Sequence, residues 1–355
     1  MVFDPANPNR VYDEIVGSYN SQIVFPPGEN SWKTLGARRF TFDGASEIDM
    51  VITLSGEIYV AFHDTSNNIY VYKYASGIWK QVDIIDIGQE TTFKLASDST
   101  GAAYLAFRDS GNNLNVKRLS DKQPVFSVNS PTDISQTGHI NLMFDNSNTP
   151  LITYINTDQK LVVGYYDSDG WNRLTAEYDN IGTPIAADIN NNTLYTAFTY
   201  LVEALRYLAV VSYTAGGNIT IFYTTAPITF SGGQINIAYY NNKIYLVYVE
   251  GKRILAKEVA SGSWNDLGGG TVYDSGENPE PWWPSIATDN GGRPYVAFQN
   301  SSGNLSVRRL EENQWVDLGS IPQAGANAID LLFKSDAPFV AVNESGPSVL
   351  YYGYW

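Results

Sequence analysis

Two adjacent tryptophans are the residues best suited to bind a ligand. Trp282 and Trp283 lie in GGGTVYDSGENPEPWWPS, residues 268–285, whereas five of the other six tryptophans open a short repeated segment. Exposed aromatic rings stack on sugar rings, and a mostly aromatic surface with a few polar groups is the usual pattern for small ligands. The pattern predicts a glycan-contact loop. The alternative is that both rings plug a channel or pack on neighbouring structure.

A second set of polar residues lies at the ends of recurring apolar segments. Histidine supplies a base or a metal ligand, and paired carboxylates a few ångströms apart hydrolyse glycosides. An aspartate or asparagine at a strand end also caps the turn that follows, so ligand binding and turn capping are both open readings. The ligand-binding candidates, besides the two tryptophans, are His63, Asp64, Arg108, Asp109, Asn300 and Glu344; His63, Asp64, Asp109 and Glu250 are the candidates if the protein is an enzyme.

A third set occupies the second position of a preceding apolar segment. In a closed ring of such segments these side chains would line the mouth of the central channel. Carboxylate oxygens there suit Ca²⁺, but no EF-hand spacing is present, so we expect no cofactor and keep Ca²⁺ as the open alternative. The residues are Asp49, Lys94, Asn141, Asn236 and Asp330.

The apolar segments that carry these residues form a sevenfold repeat, with copies 44 to 50 residues apart. Each unit combines an apolar segment, a second one that is apolar at nearly every position, an alternating strand and a Trp-led strand. Turns rich in Asn, Gly and Ser separate them, as hairpins require. Propeller blades of four strands have this length. The second segment reads YVAFHD, YLAFRD, LITYIN, YTAFTY, YLVYVE, YVAFQN and FVAVNE, from residues 59, 104, 151, 195, 245, 295 and 339.

The repeat predicts an all-β fold, a seven-bladed β-propeller of four-stranded antiparallel blades. The last blade lacks a fourth strand, and WKTLG at Trp32 is a fourth strand without a blade, so an N-terminal strand should close the ring. We expect one domain over residues 1–355, with 1–25 as an extension or extra strand and 26–355 as the propeller. The connections after the second and fourth strands would share one face, where function is expected because loops on a rigid scaffold carry it.

The unit Pro284 to Gly319 resembles the repeat of bacterial secreted and cell-surface propellers with a sialidase-like pattern. The resemblance implies an extracellular or cell-surface protein. Sialidase-like blades carry an Asp-box, S-x-D-x-G-x-x-W, which YDSDGW at Tyr166 only approaches and the other turns lack. The resemblance therefore implies the fold but no sialidase activity.

Composition excludes several classes of protein. The net charge of −15 opposes binding to nucleic acid or to an anionic membrane surface. No apolar run is long enough for membrane insertion, and the absence of cysteine removes disulfides and thiol chemistry. The first ten residues lack the apolar segment of a secretory signal. The oligomeric state is not predicted.

Three hypotheses follow from the sequence. The first is an extracellular recognition propeller that binds a glycan or a cell-surface protein at the loop face. The second is a polysaccharide-active enzyme, a glycoside hydrolase or a lyase, with its site at the channel mouth; the chain holds no catalytic motif, which favours the first hypothesis over this one. The third is a structural surface or assembly module with both tryptophans buried.

Overall fold

A computed structural model describes residues 2–4, 7–13, 18–21, 32–41, 47–86, 92–128, 134, 139–176, 178, 180–224, 228, 234–260, 263–276, 281–321, 327–334, 336–344 and 346–352. These residues form strands and turns, with no helix among them. Within that part of the chain, no helix is long and apolar enough to cross a membrane.

The described residues build seven four-stranded antiparallel sheets, and in six of them each strand pairs with its sequence neighbour. We call these sheets blades 1 to 7 and their strands A to D, counted from the channel outward. Blades 1 to 3 comprise β5 (Ile48–Ile52), β6 (Ile58–His63), β7 (Ile69–Ala75), β8 (Ile78–Ile85); β9 (Phe93–Ser97), β10 (Ala103–Arg108), β11 (Leu114–Arg118), β12 (Pro124–Val128); β13 (Ile140–Phe144), β14 (Pro150–Ile155), β15 (Leu161–Asp167) and β16 (Gly170–Thr175).

Blades 4 to 6 continue the same order along the chain. Their strands are β17 (Ile181–Asn190), β18 (Thr193–Val202), β19 (Leu205–Thr214), β20 (Thr220–Thr224); β21 (Ile235–Tyr240), β22 (Lys243–Glu250), β23 (Arg253–Ala260), β24 (Ser263–Asp274); β25 (Trp282–Thr288), β26 (Pro294–Gln299), β27 (Leu305–Glu311) and β28 (Gln314–Ile321).

Blade 7 joins the two ends of the chain, as the sequence predicts. Strand order is β29 (Asn327–Lys334), β30 (Ala337–Asn343), β31 (Pro347–Tyr352) and then β4 (Trp32–Thr34), which pairs antiparallel with β31. The Trp32 side chain is buried, and its indole N–H donates to the carbonyl of Leu318 in blade 6 at 3.2 Å. Strand β4 thus supplies the outer strand that blade 7 would otherwise lack, and covers the edge of β31.

A separate three-stranded antiparallel sheet precedes the ring. It consists of β1 (Val2–Asp4), β2 (Asn7–Asp13) and β3 (Ser18–Ser21). These strands fall within the segment that the sequence left as an extension or an extra strand. The division of the chain into that segment and the propeller stays a prediction.

The core lies between the blades, and strand B supplies most of it. In β6, β10 and β14 every side chain is buried, while the outer strand β8 is largely exposed. Alternate residues of one B strand face opposite neighbours: Val60 packs in the cluster shared with blade 7, and Ala61 in the cluster shared with blade 2. A strand buried on both faces must be apolar throughout, which is why the B segments read as continuous apolar runs.

Candidate functional site

The candidate site residues cluster at one end of the blades, which we call the loop face. Strand A begins where strand B ends, as in the pair Ile48 and Phe62, so the B–C turns and D–A connections meet there. The A–B and C–D turns lie at the opposite end, the A–B face. The repeat therefore brings the predicted ligand residues to a single face of the ring.

The two tryptophans behave differently at this face. Trp282 is the first residue of β25, lies opposite Gln299 at the end of β26, and is 39% exposed. Trp283 is partly buried and packs against the apolar cluster between blades 7 and 1. The predicted pair thus divides into one ring available to a ligand and one ring used in packing.

The connection before the tryptophans is shorter than predicted: the sequence indicated a loop over residues 268–285, and part of that segment forms strands. Residues 268–274 belong to strand β24, which continues past a register shift, and strand structure resumes at Trp282. Gly268, Gly269 and Gly270 all have φ between 58° and 84°, a region that glycine enters without steric cost. The glycines therefore allow a bulged strand where a loop was expected.

Backbone strain marks the strand starts beside the channel. Trp283 has a φ of 59° and Ala328, in strand A of the next blade, a φ of 52°, each within a register shift. Left-handed geometry in residues other than glycine costs about 1–3 kcal/mol and concentrates where ligands bind. Adjacent residues of a strand point to opposite faces, so the two rings diverge where this bulge lies.

Three predicted ligand residues act as turn caps. One side-chain oxygen of Asp64, Asp109 or Asn300 accepts from the backbone N–H groups two and four residues later, at 2.9 and 2.8 Å, 2.9 and 2.9 Å, and 2.9 and 3.1 Å. Burial would raise the pKa of Asp109, but these N–H groups and nearby amides hold it below its usual range. These contacts are the turn caps that the sequence offered as one of two interpretations. A ligand contact by the same residues stays a prediction.

His63 and Arg108 hold equivalent positions at the ends of β6 and β10. The His63 ring is 1% exposed, meets Phe93 edge-on at 4.8 Å, and has Nδ1 3.6 Å from the Glu47 carboxylate. Burial lowers the pKa of His63 to about 4. Arg108 is 2% exposed and donates to the Asn112 side chain at 2.7 Å, and burial lowers its pKa. Both side chains are therefore buried at the loop-face ends of their strands, and a ligand contact or catalytic role for either stays a prediction.

Two glutamates at strand ends make ion pairs. Glu344, after β30, is fully buried with one carboxylate oxygen 2.7 Å from Arg38 Nε and 3.7 Å from Arg39 Nε. Burial raises the pKa of Glu344 against the opposing effect of both arginines. Glu250 lies 3.4 Å from Arg253 across its own hairpin. Glu344 thus ties the N-terminal strand to the last blade, and its role toward a ligand stays a prediction.

The channel-mouth residues bridge neighbouring blades. Backbone N–H groups of A strands donate to A-strand side chains of the preceding blade: Met50 to Asp330 at 2.9 Å, Leu95 to Asp49 at 2.5 Å and Ile286 to Asn236 at 3.2 Å. Asn141 donates to the carbonyl of Ile185 in blade 4 at 3.5 Å. These side chains form a belt that links the inner strands.

One ion pair lies within this belt. Lys94 Nζ pairs with Asp49 across blades 1 and 2. Burial raises the pKa of Asp49 to about 6, although Lys94 acts to lower it. Asp49 and Asp330 raise the pKa of Lys94, which burial alone would lower. Among the described residues no three His, Asp or Glu side chains gather as a metal site.

Sequence reasoning missed an aromatic group on blade 4. Tyr200 stacks on Tyr207 at 5.5 Å, and Tyr178 meets Tyr200 edge-on at 4.8 Å. Burial raises the pKa of Tyr178 to about 12, so this phenol is neutral at physiological pH. The signal was present in the alternation of YTAFTYLVEALRYLAV, but it requires the hairpin register to be known.

Comparison with known proteins identifies the fold and no family. The sequence matches no protein-family model and no protein of curated function. Among solved structures, it is similar to AofleA from Arthrobotrys oligospora (13% identity, 84% of this chain, 94% of that chain, TM-score 0.56) and to a variant of the Aleuria aurantia lectin AAL bound to Fucα1-6GlcNAc (13%, 81%, 98%, 0.55). It is also similar to the lectin SapL1 bound to α-methyl fucoside (14%, 80%, 97%, 0.51).

Proposed function

We propose that this protein is an extracellular glycan-binding propeller that holds a saccharide at the loop face, against Trp282. The exposed Trp282 ring carries the proposal, because it lies at the end of strands whose other aromatic rings are buried or partly buried. Gln299 lies opposite it, so an amide group is at hand for a sugar hydroxyl. This is the combination of one flat apolar surface and a few polar groups expected of a small-ligand site.

The solved structures of similar fold support the same class of ligand. Two of them contain fucose-bearing saccharides. At 13–14% identity they do not carry a sugar preference or a site to this chain, so a fucoside is one probe among several. The secreted location proposed from the repeat pattern agrees with a role in recognising glycans outside the cell.

Binding is favoured over catalysis by the way the carboxylates are used. Asp64 and Asp109 cap turns, Asp49 holds a backbone N–H and Lys94, and Glu344 is buried against two arginines. Glycoside hydrolysis needs two carboxyl groups free to meet one bond. A polysaccharide-active enzyme remains the alternative that an assay for released or unsaturated sugars would reveal.

The test is a binding titration with the methyl glycosides of fucose, galactose, mannose and N-acetylglucosamine. We expect at least one to bind, and Trp282→Ala to weaken it about tenfold, since a stacked ring contributes on the order of 1.4 kcal/mol. Trp282→Phe should retain most of the affinity. Val316→Ala is the matched control, because Val316 is similarly exposed, at 37%, on the outer strand β28.

Two outcomes would overturn the proposal. Affinity that is unchanged in Trp282→Ala would place the saccharide elsewhere. Failure of every glycoside and of soluble polysaccharides to bind would remove the glycan function. Product formation in the same samples would instead identify an enzyme.

A further inference from the structure

The B–C hairpin of blade 4 projects beyond the other B–C turns. β18 and β19 each have ten residues, whereas β6 and β10 in blades 1 and 2 have six and end at the residue before the turn cap. The two residues at the tip, Glu203 and Ala204, have φ of 48° and 67°, which is the geometry of a tight two-residue hairpin turn. The hairpin is therefore a well-formed projection of the sheet above the loop face.

One side of this projection is apolar throughout. Tyr200 pairs with Tyr207 and Val202 with Leu205, and residues two apart on a strand share a side, so these four side chains lie together. Val202 is 46% exposed and Leu205 50% exposed, while the two tyrosines are partly exposed. Since Tyr200 also packs in the cluster between blades 3 and 4, this side faces blade 3.

The polar turn of blade 3 lies beside the apolar side of the hairpin. The carbonyl of Gln159 accepts from the N–H of Ile181 at 3.0 Å, and Ile181 pairs with Tyr200. Asp158 and Gln159 are exposed on that turn. An apolar wall therefore stands next to exposed carboxylate and amide groups.

We propose that this wall is a second saccharide contact, in which Tyr207, Val202 and Leu205 pack on the apolar face of a pyranose ring and the blade 3 turn bonds its hydroxyls. The inference rests on the proposed function and adds a second position, so the protein would bind glycans at two places. The small area of the wall favours a saccharide over a protein as the ligand. A stable protein interface takes about 20–30 residues a side, whereas four side chains match one or two sugar rings.

The test is a titration of ¹⁵N-labelled protein with the same four methyl glycosides, followed by backbone amide shifts. We expect two groups of shifted amides, one around residues 281–286 and 299–304 and one around 156–160 and 200–207. Tyr207→Ala should raise the dissociation constant of the second group at least about tenfold and leave the first unchanged. Leu205→Ser, at an exposed position, should weaken it with no effect on folding.

The matched control is Leu201→Ala, which alters the same hairpin on its opposite side and should leave both groups intact. Shifts confined to the Trp282 group would overturn the second contact and leave the proposed function standing. Shifts confined to the hairpin group would support the second contact and overturn the Trp282 site. The absence of shifts with any glycoside would overturn both.

Discussion

The two faces of the propeller are built from the same repeat but differ in how closely their turns keep to it. On the A–B face, turns of neighbouring blades are joined by hydrogen bonds: Ser99 N to Asn148 Oδ1 at 2.9 Å, Tyr240 hydroxyl to the Asn290 carbonyl at 2.8 Å, and Lys334 Nζ to the Gly56 carbonyl at 2.8 Å. Own-turn caps occur on both faces, by Asp64, Asp109 and Asn300 on the loop face and by Asp98, Asp145 and Asp289 on the A–B face. The loop face also has bonds between blades, such as Ile181 N–H to the Gln159 carbonyl at 3.0 Å.

This difference separates the tasks of the two faces. Bonds between blades on the A–B face and in the channel belt fix the ring. On the loop face the repeat departs from itself, with the projecting blade 4 hairpin, the bulge at Trp283 and the exposed Trp282. Binding residues are found disproportionately on variable loops that a rigid scaffold positions.

The largest expected effect is a loss of stability when ring closure is weakened, because both faces depend on a closed ring. Trp32→Ala should lower the free energy of unfolding by about 3–5 kcal/mol, because it removes a buried aromatic side chain between blades 6 and 7. Denaturant unfolding measures this. A loss below roughly 1 kcal/mol would mean that β4 contributes little to closure.

The second prediction concerns pH and the loop face. Burial lowers the pKa of His63 in the folded protein to about 4, from 6.5 in the unfolded chain. The contribution of neutral His63 to the free energy of unfolding is therefore complete above pH 6.5 and is lost as the pH falls toward 4. The loss attributable to His63 should approach about 3 kcal/mol. Asp49, whose pKa is raised to about 6, acts in the opposite sense over this range, so the wild-type profile combines both.

Comparison of wild type with His63→Asn isolates the histidine contribution. The difference in unfolding free energy between the two proteins should change with pH from 6.5 to 4 and stay constant above 7. His139, whose pKa burial also lowers to about 4, remains in both proteins and cancels. A difference that is independent of pH would show that His63 does not titrate as its burial requires.

The sequence predicted the ring and its closure because these depend on local patterns. Seven apolar B segments, Asn and Gly turns and the unpaired Trp32 strand each carry their signal in a few adjacent residues. The turn caps were foreseen as one of two readings for the same reason. The channel belt was not foreseen, because a bond from Asp49 to Leu95 N–H depends on how two blades pack.

The details of the candidate site were not predicted because they depend on strand boundaries and hairpin register, which a local pattern does not give. The division of Trp282 from Trp283 depends on both lying in strand β25, where adjacent side chains point to opposite faces, whereas the sequence pattern predicted a loop there. The aromatic side of the blade 4 hairpin depends on register, since a shift of one residue would turn Tyr200 and Val202 to the other side. Local patterns thus predicted the scaffold, and exceptions to them make the candidate site.

A smaller effect should come from the bonds between turns on the A–B face. Asn148→Ala removes the acceptor for Ser99 N–H and places alanine at a φ of 61°, so we expect about 1–2 kcal/mol less stability with saccharide affinity unchanged. Asn148→Gly, which relieves the φ but not the lost bond, should recover part of it. A change in affinity would mean that the two faces are coupled.

The smallest effect should come from a turn cap on the loop face. Asp64→Ala should cost about 1 kcal/mol and Asp64→Asn less than about 0.5 kcal/mol, since the amide oxygen can still accept the two N–H groups. Thermal unfolding gives both values. If Asp64→Asn lowers saccharide affinity without changing stability, Asp64 contacts the ligand in addition to capping its turn.

The most direct test of the account is hydrogen exchange of the whole protein with and without a bound saccharide, read separately for the two faces. The account predicts slower exchange in the peptides that contain residues 281–288 and 299–304 at the loop face, and unchanged exchange in the A–B turns around residues 98–101, 145–149 and 289–293. Protection confined to the A–B turns would contradict it, and would place the ligand on the face that we assign to holding the ring together.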